Sequence, residues 1–287
     1  MKLARFSTGG ELELGLVEGN GIVSITATLP FLGADMRQLI QRWPELRDEI
    51  AELPRRKESW IPLSHARLHA PIARPGKIFA IGLNYREHAE ESSQSAPQQQ
   101  IWLLKAATAT NGPFDKIDLP KISAAVDYEG ELVAVMAPAP RFLQRQNART
   151  AVFGYCVGND VTARDWQFRS QQWSLSKSFD THAPFGPWIV TADEIEDPHS
   201  LSLKTYVNGE LRQSANTGQQ IYSLWEQIEL LSQAVTLEAG DLVFTGTPAG
   251  VGAAMKPRTF LKAGDVVRVE IDRIGMIEAQ CDRLNDA

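Results

Sequence analysis

The chain has 287 residues, 43% of them hydrophobic and 22% charged, and its 29 basic and 35 acidic side chains give a net charge of −6. These values are typical of a globular protein with one large domain or one domain and a small appendage. The absence of a basic stripe argues against nucleic acid as a partner, and no stretch approaches the ~18 apolar residues of a membrane span. The N-terminus turns polar before a signal core could form, and Cys156 and Cys281 form no C-x-x-C pair. We therefore expect a cytoplasmic protein that binds neither nucleic acid nor membrane.

Residues 1–70 are predicted to form a small N-terminal α+β domain. Short strand-like runs at 12–17 and 22–25 are separated by glycine turns. A helix follows, with apolar residues at helical spacing from Met36 to Ile50, and Pro44 must kink or restart it. Proline and glycine between 71 and 76 mark a boundary, after which residues 71–287 form the larger domain.

Strand patterns dominate the larger domain, which predicts a mostly β, α+β fold. Residues 77–82 open it, and the Asn208-Gly209 pair predicts a hairpin turn. One long helix is expected over 220–235, and the polar run 92–100 is expected to be a mobile surface loop. The strands with the clearest patterns are 127–136, 151–157, 201–207 and 266–271.

Acidic residues alternate in the segment that contains Asp127, Glu129 and Glu131. In a single strand their side chains share one face, roughly 6.5 to 7 Å apart. Such neighbouring carboxylates repel one another unless water or a cation screens them, and oxygen ligands favour Mg²⁺ or Mn²⁺. A solvated edge strand explains the same alternation. Asp160 follows an apolar strand and is placed to be a third ligand, or to cap the next helix.

Two further segments carry groups that could act on a substrate. His88 and Glu91 are neighbours if their segment is helical, which would orient the imidazole as a general base, although exposed helices often carry such pairs. The adjoining polar loop favours a lid. Lys177 precedes a polar turn and could hold an anionic oxygen if it is buried. The glycine-rich segment 245–252 offers amides that could bind a carboxylate, and it matches no nucleotide-binding pattern.

Taken together, these segments resemble the fumarylacetoacetate hydrolase family over residues 77–287. The resemblance implies a mixed β-roll or β-sandwich-like catalytic domain, a small N-terminal domain and a homodimer. It is carried by several segments that occur along the chain in the same order as in the family, rather than by one motif. These segments are 82–88, 112–113, 127–132, 154–155, 159–165, 177–181, 186–187, 207–210 and 245–252.

The resemblance also implies a role for each candidate site residue. It identifies one Mg²⁺ or Mn²⁺ per subunit, held by Glu129, Glu131 and Asp160. It makes His88 and Glu91 the lid dyad that activates water. The side chains implied to hold the oxygens of the substrate are those of Gln167, Lys177 and Thr247, and Lys177 is also implied to stabilise developing charge.

The implied activity is hydrolysis of a carbon–carbon bond in acylpyruvate-type 2,4-dioxo acids, giving pyruvate and a carboxylic acid. An alternative is an oxaloacetate decarboxylase, or an isomerase or tautomerase of unsaturated 2-oxo diacids, which would use the same metal-stabilised enolate. A third hypothesis is a binding protein that retains the scaffold without catalysis. Ala106, which follows Lys105, and His182 depart from the commoner family pattern, and they affect the expected substrate rather than the expected metal site.

Overall fold

The computed structural model describes residues 1–55 and 60–283, and strands outweigh helices in it. The helices are α1 (Met36–Gln41), α2 (Trp43–Ala51), α3 (Arg86–Glu91), α4 (Arg164–Gln167) and α5 (Leu224–Ala234). The strands are β1 (Lys2–Ser7), β2 (Glu13–Glu18), β3 (Gly21–Ser24), β4 (Trp60–Pro62), β5 (Arg67–His69), β6 (Ile78–Gly82), β7 (Ile101–Lys105), β8 (Thr110–Asn111), β9 (Ile117–Asp118), β10 (Val126–Asp127), β11 (Gly130–Met136), β12 (Val152–Asn159), β13 (Thr162–Ala163), β14 (Ala183–Thr191), β15 (Ser202–Val207), β16 (Glu210–Asn216), β17 (Leu242–Phe244), β18 (Val266–Ile271) and β19 (Gly275–Asp282).

Within the described residues, a 12-stranded sheet forms the body of the molecule. Its order is β4-β3-β2-β1-β14-β12-β11-β17-β6-β7, and β5 and β8 join it at β1 and β14. A 5-stranded sheet has the order β16-β15-β18-β19-β9, and β10 pairs with β13 alone. The predicted mostly β, α+β fold class is confirmed.

Strand β11 lies at the centre of the large sheet, and all seven of its residues are buried. Because side chains alternate across a strand, it supplies two different cores. Leu132 packs in the core that contains Val269 of the small sheet and Ile228 of α5. Val133 packs in the core that contains Leu39 of α1. Its apolar sequence is therefore what a strand covered on both faces requires.

The N-terminal residues are joined to the rest of the molecule through the large sheet. Lys2 and Leu3 of β1 pair with Val190 and Ile189 of β14. Leu3 also shares a core with residues of β11 and β17. The division of the chain at residue 70 stays a prediction, and the two predicted parts share one continuous sheet.

Several local predictions are confirmed with small shifts in the ends. The predicted helix at 36–50 divides into α1 and α2, with Pro44 in the first turn of α2 where a missing amide costs nothing. Helix α5 begins later than predicted because Ser223 and Glu226 form a capping box. Asn208 and Gly209 both have positive φ, as a tight hairpin turn requires. No helix in the described part of the chain is long and apolar enough to cross a bilayer.

Candidate active site

The pairing of β11 with β12 brings three predicted metal ligands together. Gly130 lies opposite Asn159, so Glu129 lies across from Asp160, and Glu131 is two residues further along on the same side. The Asp160 amide donates to the Glu129 carbonyl at 2.8 Å, which fixes the two backbones. Ligand oxygens of the three carboxylates lie within 4.8 Å of one another, and all three side chains are buried. An all-oxygen set of this kind suits Mg²⁺ or Mn²⁺.

Asp127 does not join this triad. The expectation of one continuous strand from 127 to 136 is wrong, because β10 ends at Asp127 and β11 begins at Gly130. The Asp127 carboxylate accepts hydrogen bonds from the amides of Gly252 and Ala253, at 2.8 and 2.9 Å, and from Nε of Arg164 at 2.9 Å. Its negative charge is therefore already compensated within the protein.

Two of the three triad carboxylates contact buried cations. Lys177 Nζ donates to Glu129 Oε2 at 2.7 Å and also to Asp160. Lys105 donates to the other oxygen of Asp160, and Arg164 forms an ion pair of 2.7 Å with Glu129. Burial alone would raise the pKa of Glu129, but Lys177 and Arg164 outweigh it and lower that pKa to about 2.

Glu131 has a different environment. Burial, followed by the neighbouring charges of Asp160 and Glu129, holds the pKa of Glu131 well above its usual range. Its Oε2 accepts a hydrogen bond from the Gly246 amide at 2.7 Å, but no Lys or Arg in the described chain forms a salt bridge with it. Glu131 is thus costly to ionise in the metal-free protein, and a divalent cation would favour its charged form.

The predicted dyad lies in the short helix α3. Nδ1 of His88 is 2.8 Å from Oε1 of Glu91, and the imidazole is buried. Oε2 of Glu91 accepts a hydrogen bond from the Gly250 amide at 2.8 Å. With Nδ1–H donated to the carboxylate, Nε2 of a neutral imidazole is the basic atom. The pair can therefore accept and return a proton.

The glycine-rich loop supplies amides to carboxylates of the protein itself. Gly246, Gly250 and Gly252 donate to Glu131, Glu91 and Asp127 respectively. Gly250 has a φ of 107°, and a Cβ there would lie 2.0 Å from the Arg212 carbonyl oxygen. The glycines thus allow the loop to approach closely enough to hold acidic groups of the site.

A cavity of about 650 Å³ lies at the site, and Glu129 is the one triad residue among those that line it, whereas Glu131 and Asp160 lie behind its wall. Gln167 is oriented by Arg164, whose Nη1 donates to its Oε1 at 3.0 Å. Thr247 donates to the Gly130 carbonyl at 3.0 Å. Three residues of the predicted surface loop, 92–94, also form part of the wall. The predicted site residues that line this cavity are His88, Glu91, Glu129, Gln167, Lys177 and Thr247.

Three buried residues around the site had no role in the sequence-based assignment. Arg164 joins Asp127 to Glu129, Lys105 contacts Asp160, and Gln213 donates from Nε2 to Thr247 at 2.8 Å. The one available signal of a buried cation was Lys105, a charged residue that ends the apolar strand β7. Their partners lie far away in sequence, so spacing could not reveal the contacts.

The comparisons with known proteins agree with this architecture. A family model described as fumarylacetoacetate (FAA) hydrolase, C-terminal, matches residues 77–281. The chain is 38% identical over 283 residues to the mitochondrial oxaloacetate tautomerase FAHD2B of Bos taurus, covering 96% of this chain and 90% of that protein.

Two solved structures resemble the whole chain. One is a maleylpyruvate hydrolase from Sphingobium sp. SYK-6 in complex with manganese(II) and pyruvate, with 33% identity, a TM-score of 0.83 and 99% of both chains covered. The other is a 2-hydroxyhepta-2,4-diene-1,7-dioate isomerase from Mycobacterium marinum, with 31% identity, a TM-score of 0.78 and full coverage of both chains. The chain therefore belongs to the fumarylacetoacetate hydrolase family.

Proposed function

We propose that the protein is a metal-dependent enzyme that hydrolyses the carbon–carbon bond of acylpyruvate-type 2,4-dioxo acids. The observation that carries the proposal is that the His88–Glu91 pair and Glu129, one carboxylate of the acidic triad, line the same cavity. A binding protein without catalysis has no need of an oriented imidazole beside such a cluster. The related hydrolase whose structure contains manganese and pyruvate supports the same chemistry.

Glu129, Glu131 and Asp160 would hold Mg²⁺ or Mn²⁺. When bound, such an ion would polarise the 2-oxo group and make an enolate a tolerable leaving group. The residues fit this role because their oxygen atoms converge and because Glu131 has no cationic partner among the described residues.

The side chains of the cavity would then divide the remaining work. His88, oriented by Glu91, takes a proton from water as the hydroxyl adds to the 4-oxo carbon. The tetrahedral intermediate collapses, the bond between C3 and C4 breaks, and His88 returns its proton to C3. Lys177 lies beside Glu129 and Asp160, where its ammonium would counter negative charge on the leaving enolate. Gln167 and Thr247 would orient the oxygens of the substrate.

A tautomerase of oxaloacetate is the second candidate. It is favoured by the whole-chain similarity to the bovine oxaloacetate tautomerase. In that reaction His88 would move a proton between C3 and the 2-oxo oxygen, and no bond between carbons would break. Decarboxylation of oxaloacetate would instead break the bond to the C4 carboxylate, which releases carbon dioxide and leaves the enolate of pyruvate to take up a proton at C3.

The test uses purified protein stripped with EDTA and reloaded with Mg²⁺ or Mn²⁺. Acetylpyruvate and oxaloacetate are followed in parallel by enol absorbance, pyruvate and carbon dioxide. Metal-dependent formation of acetate and pyruvate supports the hydrolase. A change in enol absorbance without pyruvate indicates the tautomerase, and carbon dioxide with pyruvate indicates the decarboxylase. Reactions that persist unchanged in His88→Ala would overturn the proposed role of the dyad.

We also propose that the protein acts as a homodimer in the cytoplasm. The family resemblance supports the dimer, and the two unpaired cysteines, both buried, are compatible with a reducing compartment. Light scattering after gel filtration tests the dimer, and cell fractionation tests the compartment.

A further inference from the structure

The wall of the cavity includes an arginine to which the proposed reaction assigns no role. Arg258 lines the same cavity as His88, Glu129 and Lys177, on the loop that follows the glycine-rich segment, and its side chain is exposed. A volume of about 650 Å³ exceeds the space that a pyruvate unit alone would fill. The cavity therefore has room for a longer tail on the substrate.

Arg258 has no ion-pair partner among the residues that the structure describes. Arg164 is paired with Asp127 and Glu129, and Lys177 is paired with Glu129 and Asp160. Among the lining residues that the structure describes, Arg258 is the remaining Lys or Arg, and no acidic side chain lies within salt-bridge distance of it. A guanidinium with its donors unused is suited to a carboxylate, which it can bind through two parallel hydrogen bonds.

The backbone that follows Arg258 is anchored beside the site. The Thr259 amide donates to the Gly252 carbonyl at 3.0 Å, and the Leu261 amide donates to the Val126 carbonyl at 2.9 Å. Gly252 in turn donates to Asp127, which holds Arg164. The arginine thus extends from a backbone that is tied to buried groups beside the triad, which restricts where its guanidinium can lie.

We propose that Arg258 binds a second carboxylate at the far end of the substrate and so selects 2-oxo diacids over analogues with a neutral tail. The inference rests on the proposed function, since that function places the 2-oxo acid end of the substrate at the triad. It adds a specificity-determining residue and the charge of the group that the residue recognises.

The test measures binding, so that turnover is not needed. Manganese-loaded protein is titrated with saturated 2-oxo diacids from 2-oxoglutarate to 2-oxosuberate, each matched with the 2-oxo monoacid of the same chain length. Isothermal calorimetry gives Kd, and the change in total tryptophan fluorescence, to which Trp173 in the cavity wall contributes, gives a second readout. The variants are Arg258→Gln and Arg258→Lys. Arg169→Gln is the control, because Arg169 stacks on Trp166 and does not line the cavity.

Arg258→Gln is expected to weaken the best diacid by roughly fivefold to tenfold, the effect of one ion pair at a partly exposed site, and to leave its matched monoacid unchanged. Arg258→Lys should retain part of the preference, and Arg169→Gln all of it. The inference about Arg258 is wrong if the wild type binds both the diacid and its matched monoacid and Arg258→Gln weakens the binding of neither. It is equally wrong if the substitution weakens the binding of both by the same factor. If no 2-oxo acid binds the wild type in a metal-dependent way, the proposed function itself fails.

Discussion

His88 and Glu91 are joined by a hydrogen bond of 2.8 Å from Nδ1 to Oε1, within one short helix. The second oxygen of Glu91 accepts from the Gly250 amide, so the carboxylate also connects this helix to the glycine-rich loop. One carboxylate thus sets the orientation of the imidazole and the position of the wall opposite it. Loss of its charge should affect proton transfer more than binding of the metal.

Replacement of Glu91 by Gln tests this link. We expect turnover to fall by roughly a hundredfold, because the amide cannot stabilise the imidazolium that forms during proton transfer. Manganese binding, measured by electron paramagnetic resonance, should be unchanged, since Glu91 is outside the triad. Glu90→Gln, at the exposed neighbouring position, is the control and should keep full activity. Full turnover in Glu91→Gln would show that the pair only holds the helix in place.

The triad residue Glu131 offers a test of the metal site that is independent of turnover. Because burial beside Asp160 and Glu129 raises the pKa of Glu131, the metal-free protein loses stability as pH rises from the ordinary carboxyl range through that raised pKa. Glu131→Gln should remove this loss and also abolish the rise in Tm that Mn²⁺ gives the wild type. An unchanged Mn²⁺-induced rise in Tm would exclude Glu131 as a ligand. Glu49→Gln, at an exposed position of α2, is the control.

Glu129→Gln should have the opposite effect on the metal-free protein. Lys177 and Arg164 lower the pKa of Glu129 to about 2, and removal of its charge leaves these two buried cations without one of their partners. We expect the free energy of unfolding to fall by about 3 kcal/mol, as for a broken buried ion pair. Urea unfolding in EDTA at neutral pH measures it. Equal stability of the Glu129 and Glu131 variants would contradict this distinction.

The different outcomes for the predicted elements have a physical explanation. The alternation of apolar and polar residues and the residue types of tight turns are local signals. They predicted strand β18 and the hairpin at Asn208 with ends correct to within a residue or two. The break between β10 and β11 was missed because the acidic alternation continues through it, while Asp127 is held by a loop more than a hundred residues away. The pairing of β1 with β14 was likewise hidden, since long-range pairing leaves no local pattern.

The candidate site shows the same division between local and long-range information. The His88–Glu91 contact follows from helical spacing, and the family resemblance named Glu129, Glu131 and Asp160. Which cation neutralises which acid depends on the folded arrangement.

Arg164 is the residue for which that arrangement matters most. Its Nε contacts Asp127 at 2.9 Å and its Nη2 lies 2.7 Å from Glu129, so it joins the glycine-rich loop to the triad. Arg164→Lys keeps the charge but cannot reach both acids in the same fork geometry. We expect manganese affinity to fall by roughly tenfold with a smaller loss of stability than in Arg164→Met, where two buried carboxylates lose their partner. Calorimetry of Mn²⁺ binding compares Arg164→Lys with the wild type, and urea unfolding compares the stability of the two variants. Wild-type affinity in Arg164→Lys, or equal stability of the two variants, would refute the expectation.

His182 should make the protein sensitive to mild acid. Its Nε2 donates to the Asp118 carbonyl at 2.9 Å, and its buried Nδ1 has no hydrogen-bond partner within residues 1–55 and 60–283. Burial lowers the pKa of His182 to about 4, so the unfolded chain binds a proton more readily than the folded protein does. The stability that depends on the neutral ring is therefore complete above pH 6.5 and is lost as pH falls towards 4.

Phenylalanine at this position cannot take up the proton. Near pH 7.5, His182→Phe loses one hydrogen bond but also removes the unsatisfied nitrogen, so we expect a difference in unfolding free energy within about 1 kcal/mol. Near pH 5 the free energy of unfolding of the variant should rise by about 2 kcal/mol relative to that of the wild type. The reason is that His182 takes up a proton when the wild type unfolds, and this favours the unfolded chain. Urea unfolding at both pH values measures the change, with the exposed His65→Gln as control. A difference that does not vary with pH would mean that His182 is protonated as easily in the folded protein as in the unfolded chain.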